Sequence, residues 1–384
     1  GSIDKMNWPI PDFKKKEMPK LPSGKLWGSI LLILSSSGAL IAIFLLNAVN
    51  YRDIFFNGLL PAVVVGLFFL GIVWLRYEHS SHAVILWDIE TQKNKLRWQH
   101  WAMWQRPIIA SITLCPEEDG VKMLTGHVID IPAYPLKCRR LHHNLPDLYS
   151  KLSFLDINLE QQLPGYRNNL YEIIVLQTDS HDASIVTQAI FSQWDMMPVI
   201  QSSADKYFSG SESCAIKGMT LLVTLQDWPG AAEGQYSEFI NAKLICDAEN
   251  VDNYSPYPKA GVGRILHSDN LMKSLDVLTE YNKLKSCDIR YVWLSAVEEK
   301  DMIELAKYAD KHQWKIPPYH PFLSINHSFG PSGPLAFPVA ISLLTDAAIQ
   351  TGEMQLLISG SKEGTYSLCL VTGRLFYDGR RAAS

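Results

Sequence analysis

Two apolar runs constrain this chain more than any other feature. No Asp, Glu, Lys or Arg occurs between Leu26 and Tyr51, or again between Ile54 and Leu75. A helix needs about 20 apolar residues to cross the hydrocarbon of a bilayer, and each run supplies them. Backbone amides in lipid must be satisfied within the segment, which a helix achieves. The sequence therefore predicts two spanning helices, residues 26–48 and 54–75, joined by a tight loop. About 25 mostly polar residues precede the first run, and a second run follows at once, so a cleaved signal sequence is disfavoured.

Flanking charge sets an orientation. Lys5, Lys14, Lys15, Lys16, Lys20 and Lys25 precede the first run, and Arg76, Lys93, Lys95 and Arg97 follow the second. The loop between them holds only Arg52. Both ends then face the cytoplasm, the membrane is crossed twice, and the rest of the chain is cytosolic. Cys115, Cys138, Cys214, Cys246, Cys287 and Cys369 contain no CxxC pair and are expected as reduced thiols. Ser35–Ser37 and Gly38 give the first helix a small face, and Gly66 and Gly71 give one to the second, which favours close packing in lipid. A pathway for ions usually needs polar groups at depth, so the hairpin reads as an anchor. Net charge is −4, from 35 Lys+Arg and 39 Asp+Glu, which excludes a generally basic nucleic-acid binder.

Residues 1–25 form a basic cytoplasmic segment, and residues 76–106 an aromatic-rich juxtamembrane linker. Beyond Pro107 strands and helices alternate. Residues 108–114, 171–178, 197–203, 219–228 and 240–250 read as strands, and residues 145–160 and 184–194 as helices. In the last third, helices are expected at 271–284, 299–312 and 335–352. Strands are expected at 289–296, 322–326, 353–361 and 365–373, the last two closing as a hairpin. The fold class is α/β with a mixed sheet, in two halves, residues 107–250 and 251–378, before a tail at 379–384.

The C-terminal third, from Ile289 to Gly373, resembles the second half of a thiolase or ketosynthase domain. There a strand, a helix, a short strand, a Gly-rich loop, a long helix and a hairpin follow one another. The resemblance implies a thiolase-like fold over about residues 170–375. Its chemistry does not carry over. A first histidine is expected near Trp293 to Ser295, where there is none, and a second after Gly330, where Pro331 stands. The slot for a nucleophilic Cys, Ser180 to Ser184, has none, which leaves Cys214 as the other candidate. The resemblance thus implies a pseudoenzyme. The segment from Ser324 to Gly373 also resembles the type VI secretion lipase adapter family. That likeness implies a loading role for a secreted effector. The chain lacks GxSxG, so it is not itself a serine lipase.

Remaining constellations are read locally. Ser328-Phe329-Gly330-Pro331-Ser332-Gly333 is the most informative loop. Its glycines and prolines fix an unusual backbone before a helix, where amides can cradle an anion or a peptide carboxylate. Arg139 and Arg140 lie in the densest basic cluster, beside His142 and His143, which point apart and chelate poorly. His181 and Asp182 precede a helix, and Ser180 or Asp182 is expected to cap it. Glu298, Glu299 and Asp301 open another helix, where they offset its dipole. No P-loop, dinucleotide fingerprint or zinc spacing occurs, so neither cofactor nor metal is expected. The leading expectation is a non-catalytic, membrane-anchored adapter for a secreted effector, a toxin or a secretion-machine component. A homodimer is a further expectation. The rivals are an acyl-transferring enzyme with displaced residues and an immunity protein.

Overall fold

A computed structural model describes residues 5–126, 131–179, 181–210, 215–228, 234–253 and 257–376. The chain divides into two compact units, residues 10–97 and residues 98–384 with residues 1–9. Cys214, Ser180 and the tail lie outside the described residues.

In the smaller unit, α1 (Gly24–Phe44) begins where the Ser23 hydroxyl accepts from Leu26 N. The second helix starts as α2 (Tyr51–Ile54), widens through one π turn (Phe55–Leu59) and continues as α3 (Leu60–Ala102). Both helices are long and apolar enough to cross a membrane. Leu32 is 68% and Phe68 66% exposed, whereas a helix of a water-soluble core turns such side chains inward. The helices meet through glycine. A Cβ on Gly38 would overlap the Gly58 carbonyl and lie 2.6 Å from Ala62 Cβ, and one on Gly58 would lie 2.6 Å from Ala42 Cβ. Of the glycines expected at this face, Gly66 packs against Leu31, but Gly71 borders open space. The close approach is made by Gly58, inside the π turn.

The stretch expected as a linker is helical as far as Ala102. It contains no Gly or Pro to stop it before Pro107. At 1.5 Å per residue the helix from Tyr51 runs about 80 Å, more than twice the hydrocarbon thickness. Trp87 Nε1 donates to Lys14 O at 3.1 Å, and Lys16 Nζ lies 4.3 Å from the Trp87 ring centre. The basic N-terminal segment therefore runs beside the part of α3 that follows the apolar run.

The larger unit opens with β1 (Gln105–Leu114), α4 (Lys122–Thr125), α5 (Leu148–Gln162), β2 (Leu170–Gln177), α6 (Ala183–Trp194), β3 (Pro198–Gln201), β4 (Met219–Gln226) and β5 (Phe239–Cys246). It continues with β6 (Ala260–Gly263), β7 (Leu266–Ser268), α7 (Leu271–Tyr281), β8 (Tyr291–Ser295), α8 (Glu299–Lys311), β9 (Leu323–Ser324), α9 (Ile325–Phe329), α10 (Ala336–Thr351), β10 (Gln355–Gly360) and β11 (Tyr366–Thr372). Most of these elements coincide with the sequence reading. The short strands β6, with two glycines, and β7, with only three residues, were not legible in it. Part of the loop expected after residue 326 is instead the short helix α9.

One mixed sheet runs β3-β2-β4-β5-β1-β6-β11-β10-β8-β9, with β7 beside β11. Its two halves repeat one order. In each, the first, second, third and fourth strands run parallel and the fifth runs antiparallel between the fourth and the first. The first strands, β1 and β6, pair antiparallel, so the halves are related by an approximate two-fold axis. The repeat is broken at one place. In the second half α10 connects β9 to β10, while the described residues between β3 and β4 form only a single 3₁₀ turn (Asp205–Phe208).

Apolar packing fills both faces of the sheet. On one, Leu152, Leu155 and Leu159 of α5 and Val186, Ala189 and Ile190 of α6 meet Val175, Val223 and Leu244. On the other, α10 contributes Val339, Ala340, Leu343, Leu344 and Ala347 against strands of both halves. This helix is buried on most sides, which explains its largely apolar sequence. The strand residues facing it include a buried Lys243, whose Nζ donates to Ser342 Oγ at 3.0 Å.

Candidate functional site

The loop singled out by sequence lies at the end of α9, and the structure brings one of the two arginines to it. Gly330 has φ +102°, which side chains with a Cβ rarely adopt. A Cβ there would also overlap Lys137 O and lie 2.6 Å from Ser237 Oγ. Ser237 Oγ donates to Phe329 O at 2.6 Å and accepts from Arg139 N at 3.0 Å. Ser237 N donates to Pro331 O at 3.3 Å. Gln226, at the end of β4, accepts from Leu335 N at 2.9 Å and donates to Ser237 O at 3.1 Å. The Gly330 amide reaches Asn326 O and the Ala336 amide reaches Gly333 O. These amides are taken up inside the protein rather than pointed at a ligand. Ser328 and Phe329 are buried, Pro331 and Gly333 are half-buried, and Ser332 is exposed.

Arg139 is held in place by four contacts. Its Nη1 donates to Glu117 Oε1 at 2.5 Å and to Ser328 O at 3.4 Å, and its Nη2 to Pro116 O at 3.5 Å. The guanidinium also stacks 4.0 Å from the Tyr134 ring centre. Arg140 is exposed and lies 5.3 Å from the Trp228 ring centre. Glu238 is buried and receives Leu141 N at 2.9 Å and Trp228 N at 2.8 Å. Outside this frame Tyr134, Leu136, Cys138 and Gly234 line a shallow surface hollow of about 600 Å³. Leu136 is 92% exposed there.

A second polar group stands at the ends of β2 and β4. Lys151 Nζ donates to Asp227 Oδ2 at 2.7 Å, and His181 Nε2 lies 2.5 Å from Asp227 Oδ1. Burial alone would raise the Asp227 pKa. The hydrogen bond and charge of His181, with those of Lys151, outweigh it and hold the carboxylate below its ordinary range. One carboxylate thus pairs with two bases. The sequence reading missed Lys151, Asp227, Gln226, Ser237 and Glu238. Their signal was faint: Gln226, Asp227, Ser237 and Glu238 are polar residues at the ends of otherwise apolar strands, and Lys151 is a single lysine within α5.

Other sequence candidates have structural duties. Asp182 caps α6, its Oδ1 accepting from Ser184 N at 2.9 Å. The α6 helix presents Ile185 and Phe191 to the surface, so the Ser180–Ser184 slot opens a half-exposed helix and not a buried one. Glu298 makes no capping hydrogen bond and pairs with Lys300 at 2.8 Å. Asp301 accepts from Tyr366 OH at 2.8 Å. Trp293 is fully buried, its Nε1 donating to Gln355 Oε1 at 2.7 Å. The His142 and His143 rings stand perpendicular, and no cluster able to hold a metal occurs among the described residues. Burial pushes the Cys115 and Cys246 thiols up to about 12, and that of Cys369 further.

No family model matches the chain, and no curated protein does. Solved structures do. A cerulenin-bound variant of OleA from Xanthomonas campestris is 12% identical, with 72% of this chain and 98% of that one covered and a TM-score of 0.46. The 3-oxoacyl-[acyl-carrier-protein] synthase III of Aquifex aeolicus VF5 is 11% identical, over 70% and 99%, at 0.41. The oxazolomycin ketosynthase domain OzmH KS8 of Streptomyces albus JA3453 is 10% identical, over 71% and 96%, at 0.49. The structural neighbours are thus of the thiolase and ketosynthase kind, at low identity.

Proposed function

We propose that this chain is a non-catalytic binding protein anchored in the bacterial inner membrane, with both termini cytoplasmic. The observation that carries the reading is the exposed pair Tyr134 and Leu136 at the hollow beside the Gly330 loop, with the exposed Arg140 four residues further along the same segment. Leu136 projects almost completely into solvent from a backbone pinned by Arg139 and Ser237. Exposed Tyr and Arg around an apolar side chain on a rigid base have the composition of interface hot spots. The occupant we favour is a secreted effector or its carrier in a type VI secretion machine, which the chain would load as an adapter. The side-by-side packing of Lys14 and Lys16 with Trp87 supports placing both flanks of the hairpin on one side of the membrane.

The test uses the tagged, detergent-extracted protein from its native host. A stoichiometric effector or secretion component should co-purify with the wild type and be lost with Leu136→Asp or Arg140→Glu. Deleting the gene then separates an adapter from an immunity protein, because only the latter leaves the host sensitive to its own toxin. Recovery of the same partner by all three forms refutes the assigned surface. One observation favours acyl transfer as a second reading: Cys138 is half-buried in this hollow, between Lys137 and Arg139. Acyl-CoA labelling of Cys138 in place of a protein partner would establish that reading.

A further inference from the structure

A larger cavity, about 840 Å³, opens where β8 and β9 begin. Its apolar lining comes from Leu124, Ile131, Val292, Ile316 and Leu323, of which Leu124, Val292 and Leu323 are buried. Pro317, Pro318 and Pro321 stiffen one wall, since each fixes its own φ. Three basic residues stand at the mouth, Arg290, Lys315 and His320, and no Asp or Glu is among the described lining residues. Arg290 Nη1 is paired with Glu353 at 3.2 Å. Lys315 and His320 are exposed, and neither side chain has a bonding partner among the described residues.

The volume falls within the range of small-molecule sites, about 300–1,000 Å³. An apolar interior rejects a fully charged ligand, and Lys315 at the edge of the cavity favours an anionic head group over a cationic one. We infer that this cavity binds a single-chain amphiphile with an anionic head, of the fatty-acid kind. The acyl chain lies against Val292 and Leu323, and the head group meets Lys315 and His320. The site is separate from the hollow at Leu136 and does not depend on the adapter reading.

The test uses the full chain in nanodiscs of neutral phosphatidylcholine, with radiolabelled dodecanoate as the probe. Saturable binding to one site is expected above that of empty nanodiscs. Dodecanol should compete at least about ten-fold more weakly, and the double variant Lys315→Glu/His320→Glu should bind about ten-fold more weakly or worse. Both side chains are exposed, so the variant keeps the wild-type tryptophan emission. Ile316→Trp, which fills the cavity from a half-buried position, should abolish binding with Lys315 and His320 both in place. Stronger competition by dodecyl phosphate than by dodecanoate would identify a phosphate head and support the anionic site. Absence of saturable binding, equal competition by dodecanol, or wild-type affinity in the charge variant would each overturn it.

Discussion

Lys243 is the residue whose energetics are most exposed to test. It sits in the middle of β5, fully buried against α10, with Ser342 Oγ as its hydrogen-bond acceptor at 3.0 Å. Burial lowers its pKa from 10.5 to about 8, with the charge of Asp346 acting in the opposite direction. Below the folded value both states are protonated, and the full cost of burying the ammonium is present. Between about 8 and 10.5 the unfolded chain binds the proton more tightly, so stability rises with pH. At about 1.4 kcal/mol per unit, the rise attributable to this lysine is about 3 kcal/mol. Lys243→Met keeps the length of the side chain and removes the charge. The assay is urea unfolding of the detergent-solubilised chain, followed by tryptophan emission from pH 7 to 10.5. The difference between wild type and variant isolates Lys243 from other groups that titrate in this window. It should change by about 3 kcal/mol in favour of the wild type as pH rises. A difference independent of pH would refute the assignment of a buried, charged Lys243.

Asp227→Asn should cost about 3 kcal/mol at pH 7, because it leaves Lys151 and His181 beside a neutral amide. The carboxylate is depressed, so its stabilisation holds above the unfolded value and is lost as pH falls through the folded one. Acid unfolding of the variant should therefore lack that loss. Gly330→Ala should cost about 2 kcal/mol or more, read as a lower melting temperature, because it combines a φ of +102° with a clash at Lys137 O. Gly38→Leu should separate the two apolar helices, so a disulfide engineered between their facing positions should form in the wild type and fail in the variant. Maleimide applied to the native protein should modify the exposed Cys287 and spare Cys115, Cys246 and Cys369, with mass spectrometry as the readout.

The legible parts of this fold were those where one local signal sufficed. The charge-free runs marked the two helices, and apolar runs bounded by polar residues marked β2, β4, β5, β8, β10 and β11. The short strands β6 and β7 escaped because Ala260–Gly263 contains two glycines and only one β-branched residue, so their pairing is decided by neighbours far away in the chain. The continuation of α3 escaped because charge and aromatic content say nothing about where a helix stops; the absence of Gly and Pro before Pro107 did carry that information. At the site, Gly330 and Arg139 were recognised by residue type. Their partners Ser237, Gln226 and Glu117 come from distant segments, and nothing local announces that Ser237 bridges Phe329 O and Arg139 N. The two-fold repeat was equally hidden, since it is one of strand order and not of sequence period.

Under the proposed function, a bilayer-anchored chain presents its Leu136 face to a cytoplasmic protein. The most direct test is photo-crosslinking in intact cells, with a benzophenone amino acid at position 136 and, as control, at the exposed position Ile303 on α8. One discrete crosslinked protein is expected from position 136, recovered in the membrane fraction, and none from position 303. Recovery of the chain in the soluble fraction, or the same crosslinks from both positions, would contradict the proposal.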